Sequence, residues 1–168
     1  MANRRNFIKA AGLGLAATAI PGIANASVSE VAKKKNKYDF DLGIASYSLR
    51  KFSREEALEM ARRCGVNKMT FKSMHLPLDS SKEEIKKAVA QCEEKGIELY
   101  GGGVIYMKNK DQVDQAFKYA KSAKMDMIVG VPNHELLEYV EGKVKDYDIK
   151  LAIHNHGPGD KLYPSAES

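Results

Sequence analysis

The chain has 168 residues, of which 43% are hydrophobic and 29% charged, with two cysteines. That is enough for one domain with a real core, and unlike a disulfide-stapled miniprotein or a disordered tail. The formal charge is +5, but residues 1–26 hold Arg4, Arg5 and Lys9 and no acid; taking those three from the 27 basic groups leaves 24 against 22 acids. No basic stripe interleaved with aromatics is present, so a nucleic-acid partner is not expected.

Residues 1–26 read as an address rather than as part of the fold. A charged start from Asn3 to Lys9 leads into a small, apolar middle from Ala10 to Ile23. Ala24-Asn25-Ala26 follows as a cleavage site before Ser27. The paired arginines followed by Phe7 and Lys9 resemble a twin-arginine export signal, which implies a periplasmic protein. The apolar middle is too short to span a bilayer, so stable membrane insertion is not expected. Residues 27–38, with the run Lys33-Lys34-Lys35-Asn36-Lys37, form a basic linker. The folded domain is expected over residues 39–168.

The linker gives way to regular alternation. Leu42 to Tyr47 predicts a first strand. Ser53-Arg54-Glu55-Glu56 is a capping box, with Ser at the cap and Glu three residues on. The helix behind it places Ala57, Leu58, Ala61 and Cys64 on one face and stops at Gly65. Val66 to His75 predicts a second strand, closed by Leu76-Pro77. Ser80 or Ser81 caps a helix with Ile85, Ala88, Val89 and Cys92 on its apolar face. Both cysteines are therefore expected as buried, unpaired thiols. Ile97 to Tyr100 opens a third strand that runs into Gly101-Gly102-Gly103. Asn109 with Gln112 caps a third helix striped by Val113, Ala116, Phe117 and Ala120. Met125 to Val131 predicts a fourth strand, and Leu136, Leu137, Val140 and Val144 a fourth helix. The fifth strand is Leu151-Ala152-Ile153-His154-Asn155-His156, broken by Gly157-Pro158-Gly159.

Five strands alternating strictly with four helices predict a parallel sheet with right-handed crossovers. Two architectures fit: an open doubly wound sheet, or the first part of an eight-stranded (β/α)8 TIM barrel. A complete barrel needs about 250 residues, and Pro164 to Ser168 resembles the opening of a further helix, so a truncated barrel is expected. In either architecture ligands bind at the carboxyl ends of the strands. The residues there are Tyr47 and Arg50 after strand one, Lys72 and His75 after strand two, three glycines after strand three, and the His-x-His pair. Lys72 amid apolar neighbours requires a partner or a cavity. The glycines admit close approach of a ligand or a tight bend. His134 is read as decorating the start of helix four. Side chains alternate along a strand, so His154 and His156 share a face. Two neutral imidazoles side by side suit half of a divalent metal site, or a polar strand end bonded to its neighbours.

With these residues in view, the chain from about Asp41 to Glu167 resembles the sugar phosphate isomerase/epimerase family, whose fold is the xylose-isomerase-like TIM barrel. The resemblance is carried by Gly43-Ile44-Ala45-Ser46-Tyr47-Ser48-Leu49-Arg50, by Lys72-Ser73-Met74-His75-Leu76-Pro77, and above all by Ile153-His154-Asn155-His156-Gly157-Pro158-Gly159-Asp160. It implies a divalent metal (Mn, Zn, Co or Mg) at the barrel mouth with His156 or His154 as ligands. It also implies a metal-assisted isomerase, epimerase or lyase acting on a sugar or keto-sugar. On that reading Lys72 stabilises an oxyanion, His75 binds a hydroxyl, and Tyr47, Arg50 and Asn155 contact substrate. Two departures stand out: Gly130-Val131-Pro132 lacks the glutamate ligand common at the end of strand four, and strands six to eight are absent. The expectation is therefore an incomplete metal shell, an inactive fragment, and self-association through open barrel edges. The alternative is a non-catalytic carbohydrate-binding protein or barrel remnant. The nuclease branch of the same fold is disfavoured by the export signal and the modest charge.

Overall fold

The computed structural model describes residues 40–167. The export signal and the linker lie outside the described residues. Among those described, five parallel strands form one sheet in the order β1-β2-β3-β4-β5, and four α-helices alternate with them. The strands are β1 (Gly43–Ala45), β2 (Lys68–Phe71), β3 (Glu98–Met107), β4 (Met127–Pro132) and β5 (Lys150–Ile153); the helices are α1 (Arg54–Arg63), α2 (Lys82–Glu94), α3 (Lys110–Ser122) and α4 (Leu137–Tyr147).

The strand order decides between the two architectures. A doubly wound sheet reverses direction at a switch point. Here each strand pairs with the next in sequence without reversal. Right-handed crossovers then put all the helices on one face, which is the arrangement of a barrel wall. That face carries the core. Leu58 and Ala61 of α1, Ile85, Val89 and Cys92 of α2, and Val113, Ala116 and Phe117 of α3 are buried in one cluster with Met69, Phe71, Leu99 and Ile128 of the sheet.

The helix starts follow their local chemistry. Ser53 closes a complete capping box with Glu56, Ser81 accepts from the Glu84 backbone N–H, and Asn109 accepts from that of Gln112. A short 3-10 turn, His134–Leu136, precedes α4. Arg54 ties two layers together: its guanidinium donates to Gln91 Oε1 (2.7 Å), Glu84 Oε1 (2.7 Å) and the His75 carbonyl (2.8 Å).

Several expectations are corrected. The first strand is only three residues long, and Ser46–Leu49 form a 3-10 turn, so Tyr47 sits on a turn rather than a strand. The second strand stops at Phe71; the Lys72 carbonyl accepts from the backbone N–H groups of His75 and Leu76, which turns the chain there. β3 does not end at its glycines but runs ten residues, through them to Met107. Packing explains the triplet. A Cβ at Gly102 would sit 2.9 Å from Met125 Sδ and 3.1 Å from a Tyr119 ring carbon, and one at Gly101 3.0 Å from the Met127 carbonyl oxygen. Gly103 has φ +144°, and a Cβ there would fall onto the Val129 carbonyl oxygen. Cys92 is buried, but Cys64 is exposed at the C-cap of α1. Residues 164–167 are bends and turns, not a helix. No helix among the described residues is long and apolar enough to cross a membrane.

Candidate functional site

Parallel strands deliver their carboxyl ends to one rim. Tyr47 and Arg50 follow β1, Lys72 follows β2, Tyr106 is the next-to-last residue of β3, and the two histidines follow β5.

Tyr47 is the centre of the first group. The Arg50 guanidinium lies 4.6 Å and the Lys72 ammonium 4.8 Å from its ring centroid. Both are cation–π contacts. The partner that a half-buried Lys72 requires is thus an aromatic face, not a carboxylate. The Lys72 backbone N–H is fixed by donation to Ser46 Oγ (2.9 Å), and Ser46 is buried.

The second group is built around His156. The His154 and His156 rings meet edge to face with centroids 4.4 Å apart. Both residues follow the last residue of β5, and the His154 N–H still donates to the Gly130 carbonyl (2.9 Å), which extends the ladder by one bond. Gly157 at φ +104° then folds the chain back. That fold returns Asp160, whose Oδ2 lies 2.7 Å from His156 Nδ1. Its Oδ1 accepts from the backbone N–H groups of Leu162 (2.7 Å) and Tyr163 (3.0 Å). On the other side, Tyr106 from the end of β3 stacks on His156 at 12° between planes, its hydroxyl 3.3 Å from Nε2.

A buttress holds this loop. The Tyr163 hydroxyl donates to the Pro132 carbonyl (2.7 Å), the His134 ring bonds the Leu162 carbonyl through Nε2 (2.9 Å), and His134 and Tyr163 pack edge to face. His134 therefore braces the loop that carries Asp160.

The electrostatics follow from this placement. Partial burial, then the neighbouring His156 and Lys72, push the His154 imidazole below its usual range, so it is neutral at physiological pH. Two backbone N–H donors and His156 hold Asp160 below the ordinary carboxylate range, so it is ionised.

The remaining candidates stand apart. His75 is 3% exposed and packs on Phe71; its Nε2 lies 3.1 Å from the Phe52 carbonyl, and its buried Nδ1 has no hydrogen-bond partner among the described residues. Asn155 is exposed at the apex between the histidines.

The metal implied by the resemblance can be tested against the donor set. His154 and His156 offer two imidazoles, but Asp160 has both oxygens committed and His75 bonds the Phe52 carbonyl instead. Among the described residues no three His, Cys, Asp or Glu side chains gather as a metal site. A catalytic divalent site needs about three protein ligands. The described residues do not by themselves fit the ion.

Tyr106 and Asp160 were not marked as site residues by the sequence. Signals for both existed. Val104-Ile105-Tyr106-Met107 continues the apolar run past the glycines, which places a tyrosine at a strand end. Asp160 follows a Gly-Pro-Gly turn, the chemistry that folds a chain back on itself.

No protein-family model matches the chain, and no curated protein matches it. Solved structures do. An uncharacterised protein from Parabacteroides distasonis superposes with TM-score 0.65 at 22% identity, over 71% of this chain and 54% of that one. A xylose isomerase domain containing protein from Salmonella typhimurium gives 0.58 at 14% identity, over 73% and 51%. A xylose isomerase domain protein from Alicyclobacillus acidocaldarius gives 0.54 at 13%, over 76% and 55%. At such identities the likeness is one of fold: the chain has the α/β fold of a partial, xylose-isomerase-like TIM barrel. It spans about half the length of the structures it matches.

Proposed function

We propose that this chain supplies one half of a barrel mouth for an isomerase, epimerase or lyase acting on a small sugar or keto-sugar. The observation that carries the reading is the grouping of Lys72, Tyr47 and Arg50 with His154, His156, Asp160 and Tyr106 at the carboxyl ends of β1, β2, β3 and β5. Such chemistry removes a proton from a carbon or hydroxyl beside a carbonyl. It needs a base, and a cation for the oxyanion that forms. The imidazole–tyrosine pair offers the base and the Lys72 ammonium the cation. The naming of two fold relatives as xylose isomerase domain proteins supports the substrate class.

The exported, periplasmic location remains part of this proposal, as does a divalent ion whose further ligands would come from outside residues 40–167. A non-catalytic carbohydrate-binding role is the second reading. It is favoured by two half-exposed tyrosines on one rim, Tyr47 at 50% and Tyr106 at 51%, since flat aromatic faces suit sugar rings.

The test is solvent-deuterium exchange into a panel of aldoses and ketoses, followed by NMR, with the full-length protein and with Lys72→Met. Exchange into one sugar, lost in the variant, supports catalysis. Sugar binding by calorimetry without exchange supports the second reading, and neither would refute both.

A further inference from the structure

Among the described residues Lys68, Lys72, Lys95 and Lys143 are the half-buried lysines. Three of them lie against carboxylates: Lys68 against Asp41 and Glu98, Lys95 against Glu59, and Lys143 against Asp114. Lys72 pairs with no carboxylate among the described residues, and neither does Arg50. A cation withdrawn from water needs a compensating charge or dipole. The face of Tyr47 supplies only part of it, because the two cations share that ring. The Lys72 Nζ lies 4.8 Å and the Arg50 Cζ 4.6 Å from its centroid. Two like charges on one ring repel each other.

Both cations are nonetheless held in place. The Arg50 backbone N–H and its Nη1 each donate to the Tyr47 carbonyl at 3.2 Å. The Lys72 backbone N–H donates to the buried Ser46 hydroxyl. A guanidinium presents five N–H donors in a planar fork, and only the Nη1 bond is spent within the turn. The arrangement is that of two fixed positive charges beside an aromatic face, with no anion of the described chain between them.

We infer that Arg50, Tyr47 and Lys72 form a carboxylate clamp, and that the substrate of this rim is a sugar acid. The inference rests on the sugar-isomerase reading above and deepens it by naming the substrate class. A carboxylate takes two parallel bonds from a guanidinium and a further one from an ammonium. Its charge also relieves the repulsion between the two cations. Arg50 is thereby the residue that determines specificity. Lys72 carries a second duty, since it is also the cation for the oxyanion of the reaction. One ammonium serves both oxygens when they are neighbours. That selects acids whose carboxylate adjoins the reacting carbon, the α-oxo and α-hydroxy sugar acids. Phosphate is a poorer fit, because its sites gather backbone N–H groups at a helix start or a glycine-rich loop. Here the Lys72 N–H is taken by Ser46, and Ser46–Leu49 form only a 3-10 turn.

The test is calorimetry and NMR of the full-length protein with D-gluconate and D-galactonate as acids, D-glucitol as the uncharged chain, and inorganic phosphate. At least one acid should bind about tenfold or more tightly than D-glucitol, and it should move the Arg50 Nε–H resonance. Arg50→Gln should bring acid and D-glucitol to the same affinity, and Arg50→Lys should retain part of the difference. Lys51→Gln removes an equal charge from the next, exposed position and should leave acid binding unchanged. Equal affinity for acid and D-glucitol would overturn the clamp, as would an Arg50 Nε–H signal that stays in place at saturating acid. So would normal acid binding by Arg50→Gln, an equal loss in Lys51→Gln, or phosphate binding tighter than either acid. In the exchange assay, deuterium entering a neutral ketose at the same rate in Arg50→Gln as in the unsubstituted protein would sink the clamp and leave the sugar reading standing. Acid binding that is lost in Arg50→Gln, without exchange into any acid or neutral sugar, would support the clamp and sink the catalytic reading.

Discussion

At the scale of single residues, environment separates groups that the sequence makes equivalent. Cys64 and Cys92 both fall on the helical stripe spacing, yet one is exposed and the other buried. Burial pushes the Cys92 thiol up to about 11, and the thiolate is the reactive form. Iodoacetamide at about pH 8 should therefore label Cys64 within minutes and spare Cys92 until denaturant is added, as read by mass spectrometry of peptides. Equal labelling of both in the native protein would contradict the packing of α2. The same distinction explains what was legible at the site. The expected fifth strand through His156 stops at Ile153, yet His154 and His156 still meet, because residues two apart in an extended segment are neighbours by local geometry alone. Nothing local reports that Tyr106, fifty residues upstream, stacks on His156. His75 shows the converse: its motif is visible in the sequence, but Arg54 captures its carbonyl and Phe52 its ring nitrogen.

At the scale of elements, the caps were readable because each is a short-range exchange between a side chain and a backbone N–H three residues on. Strand lengths were not. β1 is shorter than its apolar run because Ser46–Leu49 coil into a 3-10 turn, and β3 is longer because its glycines are packing positions within a strand. β3 also shifts register twice, between Leu99 and Gly101 against β2 and between Gly103 and Ile105 against β4. Bulges of this kind re-aim the residues beyond them, and beyond them stands Tyr106. Gly103→Ala should therefore destabilise the sheet by about 3 kcal/mol or more, since φ +144° and the Val129 carbonyl leave no room for a Cβ. Urea unfolding measures it; a change below about 1 kcal/mol would show that the strand yields there. Arg54→Ala tests the tie between α1, α2 and the loop after β2. The side chain is 14% exposed and donates three bonds. Its loss orphans the His75 carbonyl and should cost on the order of 3 kcal/mol. A thermal midpoint unchanged from the unsubstituted protein would mean that the loop finds other donors.

At the scale of the whole molecule, the strand order and the helix-face core define a wall, and a wall has two edges. Among the described residues β1 pairs only with β2, and β5 only with β4. Within the described residues each outer edge has no strand partner, and such an edge is the usual template for adding another strand. Apolar side chains accompany both edges: Leu42, just before β1, is 61% exposed, and Ile153, at the end of β5, is 40% exposed. Neither edge strand carries a proline; β1, Gly43–Ala45, has no charge, and β5 has a single one, Lys150 at its start. These are the devices by which edge strands are normally kept apart, and a closed barrel would need none of them. The 168-residue chain should therefore self-associate edge to edge, with apparent mass rising across the micromolar range in sedimentation or light scattering. A lysine set on either edge should oppose this, because pairing would bury its charge. Leu42→Lys and Ile153→Lys together should shift the distribution toward monomer and leave the helix caps and the buried core untouched. A monodisperse monomer of the unsubstituted chain, melting in one cooperative transition, would show instead that the edges are covered.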